Sequence, residues 1–221
     1  MLVVAALLTS TASGCGGAGM GILLDDTWSG DVRAARGEVF VVSWSRPLVD
    51  PLLERYQPTE HAVAALDPSR GRLYVGSSAG SLWSLDGTTG APHWRFRATG
   101  AIGCEPALHD ADGGRVFVGS DDGHVYALRR ADGRLAWRSL VRAPVRRRPV
   151  VTEDAVYVVT GGDSVYALDR RTGNRLWSYR REAPEGFTIG EHAGLAFADG
   201  RLFTGFADGT TVALDASDGT L

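Results

Sequence analysis

The feature that most constrains this chain is an eleven-residue pattern that returns on a fixed period. Residues 167–177 read A-L-D-R-R-T-G-N-R-L-W, with Asp169, Thr172, Gly173 and Trp177 at its marked positions. Residues 84–94 carry the same slots in Asp86, Gly90 and Trp94, and residues 127–137 keep Ala127, Gly133 and Trp137. A fourth copy begins at Ala213 and stops two residues before its tryptophan is due. The tryptophans are 43 and 40 residues apart. A period of about 40 to 45 residues is the signature of a β-propeller with one four-stranded blade per repeat.

Other landmarks move with the same step. Strand-like apolar runs fall at residues 73–75, 116–118, 156–159 and 202–204, and Gly-containing turns follow at 78–81, 121–124, 161–164 and 207–210. The pattern also has a mechanical meaning. A Thr-Gly or Asp-Gly pair between two strands suits a tight hairpin, because glycine takes positive φ without steric cost. An Asp or Thr side chain can bond back to the turn backbone. The tryptophan then falls on the last strand of its blade, where its ring fills the gap to the next blade and its N–H needs a polar partner. Continuously apolar runs such as 156–159 fit strands covered on both faces.

These residues resemble the tryptophan-docking motif of the PQQ-like eight-bladed propellers. The resemblance covers about residues 37–221 and is most marked to the outer-membrane assembly lipoproteins of the BamB type. It implies an all-β fold, a propeller of four-stranded blades present here as about half a ring. The same family includes quinoprotein dehydrogenases, so the fold alone does not decide between scaffold and enzyme.

The chain divides accordingly. Residues 1–15 form a short apolar run that is too short to span a bilayer and reads as an export signal. It ends in A-S-G-C at Cys15, which resembles a lipobox, and the resemblance implies lipidation of Cys15. Residues 16–36 are Gly-rich and read as a flexible tether. Residues 38–45 are expected to be an N-terminal strand, ending near Trp44, that closes the ring. Three blades follow over about 61–181, and a truncated fourth over 191–221. An eight-bladed ring at this period needs roughly 340 residues, and the chain has 221, so a piece of a longer protein is expected. With Cys15 lipidated, Cys104 reads as a small buried hydrophobe, although a Cys15–Cys104 disulfide is the alternative.

The search for chemistry returns little. The formal charge of −3 gives no footprint for nucleic acid. Every basic residue is arginine. Gly14, Gly16 and Gly19 match a dinucleotide fingerprint but lack its strand and helix. Asp110 and Asp112 hint at a calcium loop but lack the later acidic ligands, so a strand-connecting turn is expected. None of the five histidines sits at a metal-ligand spacing. Arg146, Arg147 and Arg148 precede an inner strand and could crowd one mouth of the channel, or be a solvated loop. No catalytic set, cofactor site or small-molecule site emerges.

One inter-blade segment stands out. Phe187 and Ile189 lie two apart, which puts them on one side of an extended chain, and they are followed by Glu191. They can face a partner or fold back onto the propeller. The resemblance implies that Phe187, Thr188, Ile189 and Glu191 dock onto the POTRA domains of a BamA-like barrel protein, alongside other assembly subunits. The expected function is thus a non-catalytic scaffold lipoprotein of outer-membrane β-barrel assembly, lipid-anchored at the periplasmic face. The alternatives are a piece of a PQQ-dependent dehydrogenase, or a generic propeller that binds protein.

Overall fold

The computed structural model describes residues 43–48, 62–181, 193–206 and 208–221. Fifteen strands and no helix appear among them. No helix there is long and apolar enough to cross a membrane. Blade one holds β1 (Ala65–Asp67), β2 (Arg72–Gly76), β3 (Ser81–Asp86) and β4 (Pro92–Arg97). Blade two holds β5 (Ala107–His109), β6 (Arg115–Gly119), β7 (His124–Arg129) and β8 (Leu135–Leu140). Blade three holds β9 (Val150–Val151), β10 (Ala155–Thr160), β11 (Ser164–Asp169) and β12 (Arg175–Arg180). Blade four shows three strands, β13 (Ala196–Ala198), β14 (Arg201–Gly205) and β15 (Thr211–Asp215). Each blade is an antiparallel meander in chain order, the arrangement that short turns between neighbouring strands allow.

The repeat in the sequence is a repeat in register. Tyr74 faces Ser84, Phe117 faces Ala127, Tyr157 faces Ala167 and Phe203 faces Ala213. The third and fourth strands slip by one residue at the same place in each complete blade, after Ser84, Ala127 and Ala167. A bulge there adds twist and bends the outer strand. The tryptophan of each repeat stands opposite that same small residue. A small residue opposite a large ring leaves room for it.

The core lies between blades rather than within any one of them. One apolar cluster joins Tyr74 and Leu82 of blade one to Val116, Val118 and Leu128 of blade two. A second joins Phe117, Val125 and Trp137 to Val156, Val158 and Leu168. A third joins Tyr157, Val165 and Ala167 to Leu202, Val212 and Leu214. Strand β10 is buried along its whole length. No blade could bury both of its faces alone, so stability is a sum over seams, as in other repeat folds. Of the segment 38–45 expected to be a closing strand, residues 43–45 are described, and they pair with no strand among the described residues. The expected signal at 1–15, Cys15 and the tether at 16–36 lie outside the described residues.

Candidate functional site

The geometry that the motif residues build is the seam. In the turns, one carboxylate oxygen of Asp86 accepts the N–H groups of Thr88 and Thr89 and the Thr89 hydroxyl, at 3.0, 2.8 and 2.9 Å. Asp169 does the same for Arg171 and Thr172, at 3.1, 2.7 and 2.7 Å. These bonds favour the charged form. The Thr89 amide and hydroxyl hold Asp86 below the usual carboxylate range, and the Thr172 hydroxyl and amide do so for Asp169. Blade two has Arg129 where the others have Asp. There Asp132 takes over, accepting the Arg134 N–H at 3.2 Å and pairing with Arg129 at 3.1 Å.

Each turn ends on a glycine that is the seat of the previous blade's tryptophan. Gly133 has φ +71° and Gly173 has φ +77°, a region that other residues enter only with strain. A Cβ on Gly133 would lie 2.6 Å from the Trp94 ring, and one on Gly173 would lie 2.5 Å from Trp137. The indole N–H groups of Trp94, Trp137 and Trp177 then donate to the carbonyls of Arg130, Arg170 and Ala216 at 3.0, 2.9 and 3.0 Å. Each ring also meets an aromatic of its own blade. The pairs are Tyr74–Trp94, Phe117–Trp137 and Tyr157–Trp177, with centroids 5.7, 5.8 and 5.9 Å apart. The sequence-predicted residues Asp86, Gly90, Trp94, Gly133, Trp137, Asp169, Thr172, Gly173 and Trp177 all fall on these seams, as turn or seat.

Sequence reasoning missed half of the latch. Arg72 of blade one donates to the carbonyls of Arg130 and Ala131 in blade two, at 2.9 and 3.4 Å. Arg115 of blade two repeats this on Arg170 and Arg171, at 3.1 and 2.8 Å. In return, the buried guanidinium of Arg130 pairs with Asp67 at 2.9 Å and with Asp110. Burial raises the Asp67 carboxyl, but Ser69, Arg130 and Arg70 outweigh that and hold it below its ordinary value. Arg170 pairs with Asp112 at 2.8 Å. The Asp110–Asp112 turn thus serves two ion pairs, one within blade two to Arg130 and one to Arg170 of blade three. The signal that could have exposed this is a second recurring string, Arg-x-aromatic-x-Gly, at 72–76, 115–119 and 201–205.

Trp44 was also undervalued. Its ring sits on Gly90 as the later tryptophans sit on theirs, 2.6 Å from where a Cβ would be, and its N–H reaches the Gly87 carbonyl at 3.2 Å. Its spacing of 50 residues to Trp94 hides it from the period.

The remaining candidates are quickly placed. Arg146 is bound to Asp121 at 2.8 and 3.1 Å, and Arg148 to Glu105 at 3.1 Å. Arg147 and Arg148 line a cavity of about 480 Å³ with Ala107, Val150, Val151 and Leu195. Cys104 is buried, with its thiol pushed up to about 11 by desolvation, so it is chemically quiet. No three of His, Cys, Asp and Glu come together to hold a metal ion among the described residues. Phe187, Thr188, Ile189 and Glu191 lie outside the described residues.

Meander blades, Trp seats on turn glycines and seams as the core define a β-propeller of the PQQ-like repeat class, here an incomplete ring. Residues 103–221, more than half of the chain, match the family model PQQ_2, described as outer membrane protein assembly factor BamB, and the chain belongs to that family. Outer membrane protein assembly factor BamB of Nitrosomonas eutropha is 28% identical over 155 residues, 68% of this chain and 36% of that one. The 1-butanol dehydrogenase (cytochrome c) of Thauera butanivorans is 38% identical over 82 residues, 34% of this chain and 12% of that one. The crystal structure of BamB from Moraxella catarrhalis superposes with a TM-score of 0.64 at 22% identity, covering 73% of this chain and 47% of that one. The matches span about a third or less of these two curated relatives. An assembly factor and an alcohol dehydrogenase thus both match parts of this chain.

Proposed function

We propose that this chain acts as a non-catalytic scaffold of outer-membrane β-barrel assembly, as the expected BamB-type role implies. The observation that supports it most is the family match over residues 103–221. A relative of the same description aligns over two thirds of the chain. In this reading the protein is a lipoprotein anchored through Cys15 at the periplasmic face of the outer membrane. Phe187, Thr188, Ile189 and Glu191 form the contact to POTRA domains of a BamA-like protein. The work of such a protein is docking, and rigid seams suit it, because a pre-organised surface loses little entropy on binding.

The experiment is a pull-down of the tagged protein from native membranes in mild detergent, followed by mass spectrometry. Recovery of a POTRA-bearing barrel protein supports the reading. Changing Phe187→Asp and Ile189→Asp together should then cut that recovery about tenfold or more, as loss of a central apolar anchor does. Unchanged recovery removes this segment from the interface.

A second reading has its own support, the 38% identity to a 1-butanol dehydrogenase over 82 residues. It makes the chain part of a PQQ-dependent alcohol dehydrogenase. Binding of PQQ with Ca²⁺, and dye reduction by an alcohol, would replace the first reading with this one.

A further inference from the structure

The outer strands of the blades carry side chains that the seams do not use. Trp94 and Phe96 of β4 pack into the seam between blades one and two, Trp137 of β8 into the next, and Trp177 and Tyr179 of β12 into the one after. Strand alternation turns the residues between and beyond them the other way. These are Arg95 and Arg97 on β4, Arg138 and Leu140 on β8, and Ser178 and Arg180 on β12, and all six are exposed. The one-residue slip in β12 adds Leu176, and the first residues of β8 and β12 add Leu135 and Arg175, which are exposed too.

Charge and exposed carbon both concentrate on this rim. Residues 92–97, 135–140 and 175–180 hold five arginines and a histidine and no carboxylate, in a chain whose formal charge is −3. Arg130, Arg146 and Arg170 are held by carboxylates elsewhere in the fold. Among the described residues, none of the five rim guanidinium groups forms an ion pair with a carboxylate, and Arg95 lies over the Trp83 ring at 5.0 Å. In blades two and three the strongly exposed large hydrophobics are Leu135, Leu140 and Leu176, at 45, 55 and 54%. All three stand on the outer strands. Blades two and three each have a blade on either side, so this exposure belongs to the rim itself.

We propose that the rim of blades two and three lies on an anionic lipid surface, with the arginines of β4 at its margin. The guanidinium groups meet headgroup phosphates, which their planar fork of donors fits. Leu135, Leu140 and Leu176 enter the boundary between headgroups and acyl chains, where burial of their exposed carbon adds to the charge term. Arginine interleaved with exposed leucine is the composition of segments that lie in that boundary. A partner that reads charge alone, such as nucleic acid, would leave the leucines in water. The chain is acidic as a whole, so the same surface repels its other sides and the rim is the side that approaches. This inference does not rest on the assembly role, and an acyl group at Cys15 would act beside it.

The test is co-sedimentation of the full 221-residue chain with lipid vesicles, in a Cys15→Ser background so that no acyl group contributes. One set of vesicles is phosphatidylcholine alone, and the other holds an equal part of phosphatidylglycerol. Binding should be about tenfold or more stronger on the phosphatidylglycerol vesicles and should fall as salt shortens the Debye length. Arg138→Gln, Arg175→Gln and Arg180→Gln together should weaken it about a hundredfold, at roughly fivefold per charge. Leu135→Ser, Leu140→Ser and Leu176→Ser together should weaken it about tenfold or more. These six side chains are exposed, so both variants leave the seams intact, and circular dichroism confirms that they stay folded. Equal binding to the two vesicle types, or binding to neither, overturns the proposal. So does an arginine variant that binds like the parent. A leucine variant that binds phosphatidylglycerol vesicles like the parent overturns it too, because the rim then reads charge alone and any polyanion, nucleic acid included, would serve.

Discussion

Blades three and four carry nearly the same strands and differ in what covers them. On blade three, the outward residues Ala155, Tyr157, Val159, Val165 and Ala167 are at most 5% exposed, packed against Leu202, Val212 and Leu214. On blade four, Phe203 takes the place of Tyr157 and is 38% exposed. Strand β10 is buried throughout, while β14 alternates exposed and buried. The difference is one of neighbours rather than of local sequence. A strand that would read as half-buried in isolation becomes fully buried once another sheet stacks on it. Burial in this fold is therefore a property of the pair of blades.

That comparison can be tested hardest at the matched aromatics. Tyr157→Ala should cost about 3–5 kcal/mol, as large aromatic truncations in a packed core do. It also removes the hydroxyl bond to the Ala216 carbonyl at 3.0 Å. Phe203→Ala should cost about 1 kcal/mol in dilute protein, because it gives up only part of a burial term. Urea unfolding at a concentration below any association would measure both. Equal losses would mean that the outward face of blade four is covered after all.

Arg130 probes the polar half of the latch. It is 3% exposed between Asp67 and Asp110. Arg130→Met should cost about 3–5 kcal/mol, because it strands the buried Asp67 charge. Adding Asp67→Asn should return part of that loss. If the single variant is neutral, the ion pair contributes nothing at this seam.

Two glycines sharpen the contrast at lower cost. Gly173 and Gly200 both have positive φ, at +77° and +74°. A Cβ on Gly173 would meet the Trp137 ring, and one on Gly200 would meet nothing within 4 Å. Gly173→Ala should cost about 2–4 kcal/mol, from backbone strain plus the collision. Gly200→Ala should cost about 1 kcal/mol, from strain alone. Thermal unfolding would separate them.

The smallest effect is electrostatic. The Thr172 hydroxyl and amide hold Asp169 below its ordinary value, and the Ser217 hydroxyl and amide do the same for Asp215. A depressed folded value means that the stabilisation is complete above the unfolded value of about 4. It is lost as pH falls through the folded value. Asp169→Asn should therefore flatten the acid limb of the stability curve below about pH 4 and leave its shape near pH 7 unchanged. An unaltered acid limb would show that the turn bonds form equally with the neutral side chain.

Much of this was legible in the sequence. The period, the apolar runs and the Asp/Thr-Gly turns are local, and each has a local cause in turn chemistry and strand pattern. Trp94, Trp137 and Trp177 were legible for the same reason. The arginine latches were not, because Arg72 and Arg130 stand 58 residues apart and share no local pattern. Asp110 and Asp112 read as a strand-connecting turn and lie between β5 and β6 as such, but their guanidinium partners were not legible, since carboxylates near a turn look alike whatever satisfies them. Trp44 was hidden by a longer connection to the first full repeat.

The sequence by itself determined the repeat unit, its strand order and the residue that each unit offers to the next. Those choices are set by backbone preference and by apolar patterning within some forty residues. Only the tertiary structure decided which faces are buried, which carbonyls receive the indole and guanidinium groups, and that Trp44 belongs to the same series as Trp94. Those outcomes depend on one blade lying against another, and hydrophobic burial and ion pairing act through space between residues that no local pattern connects.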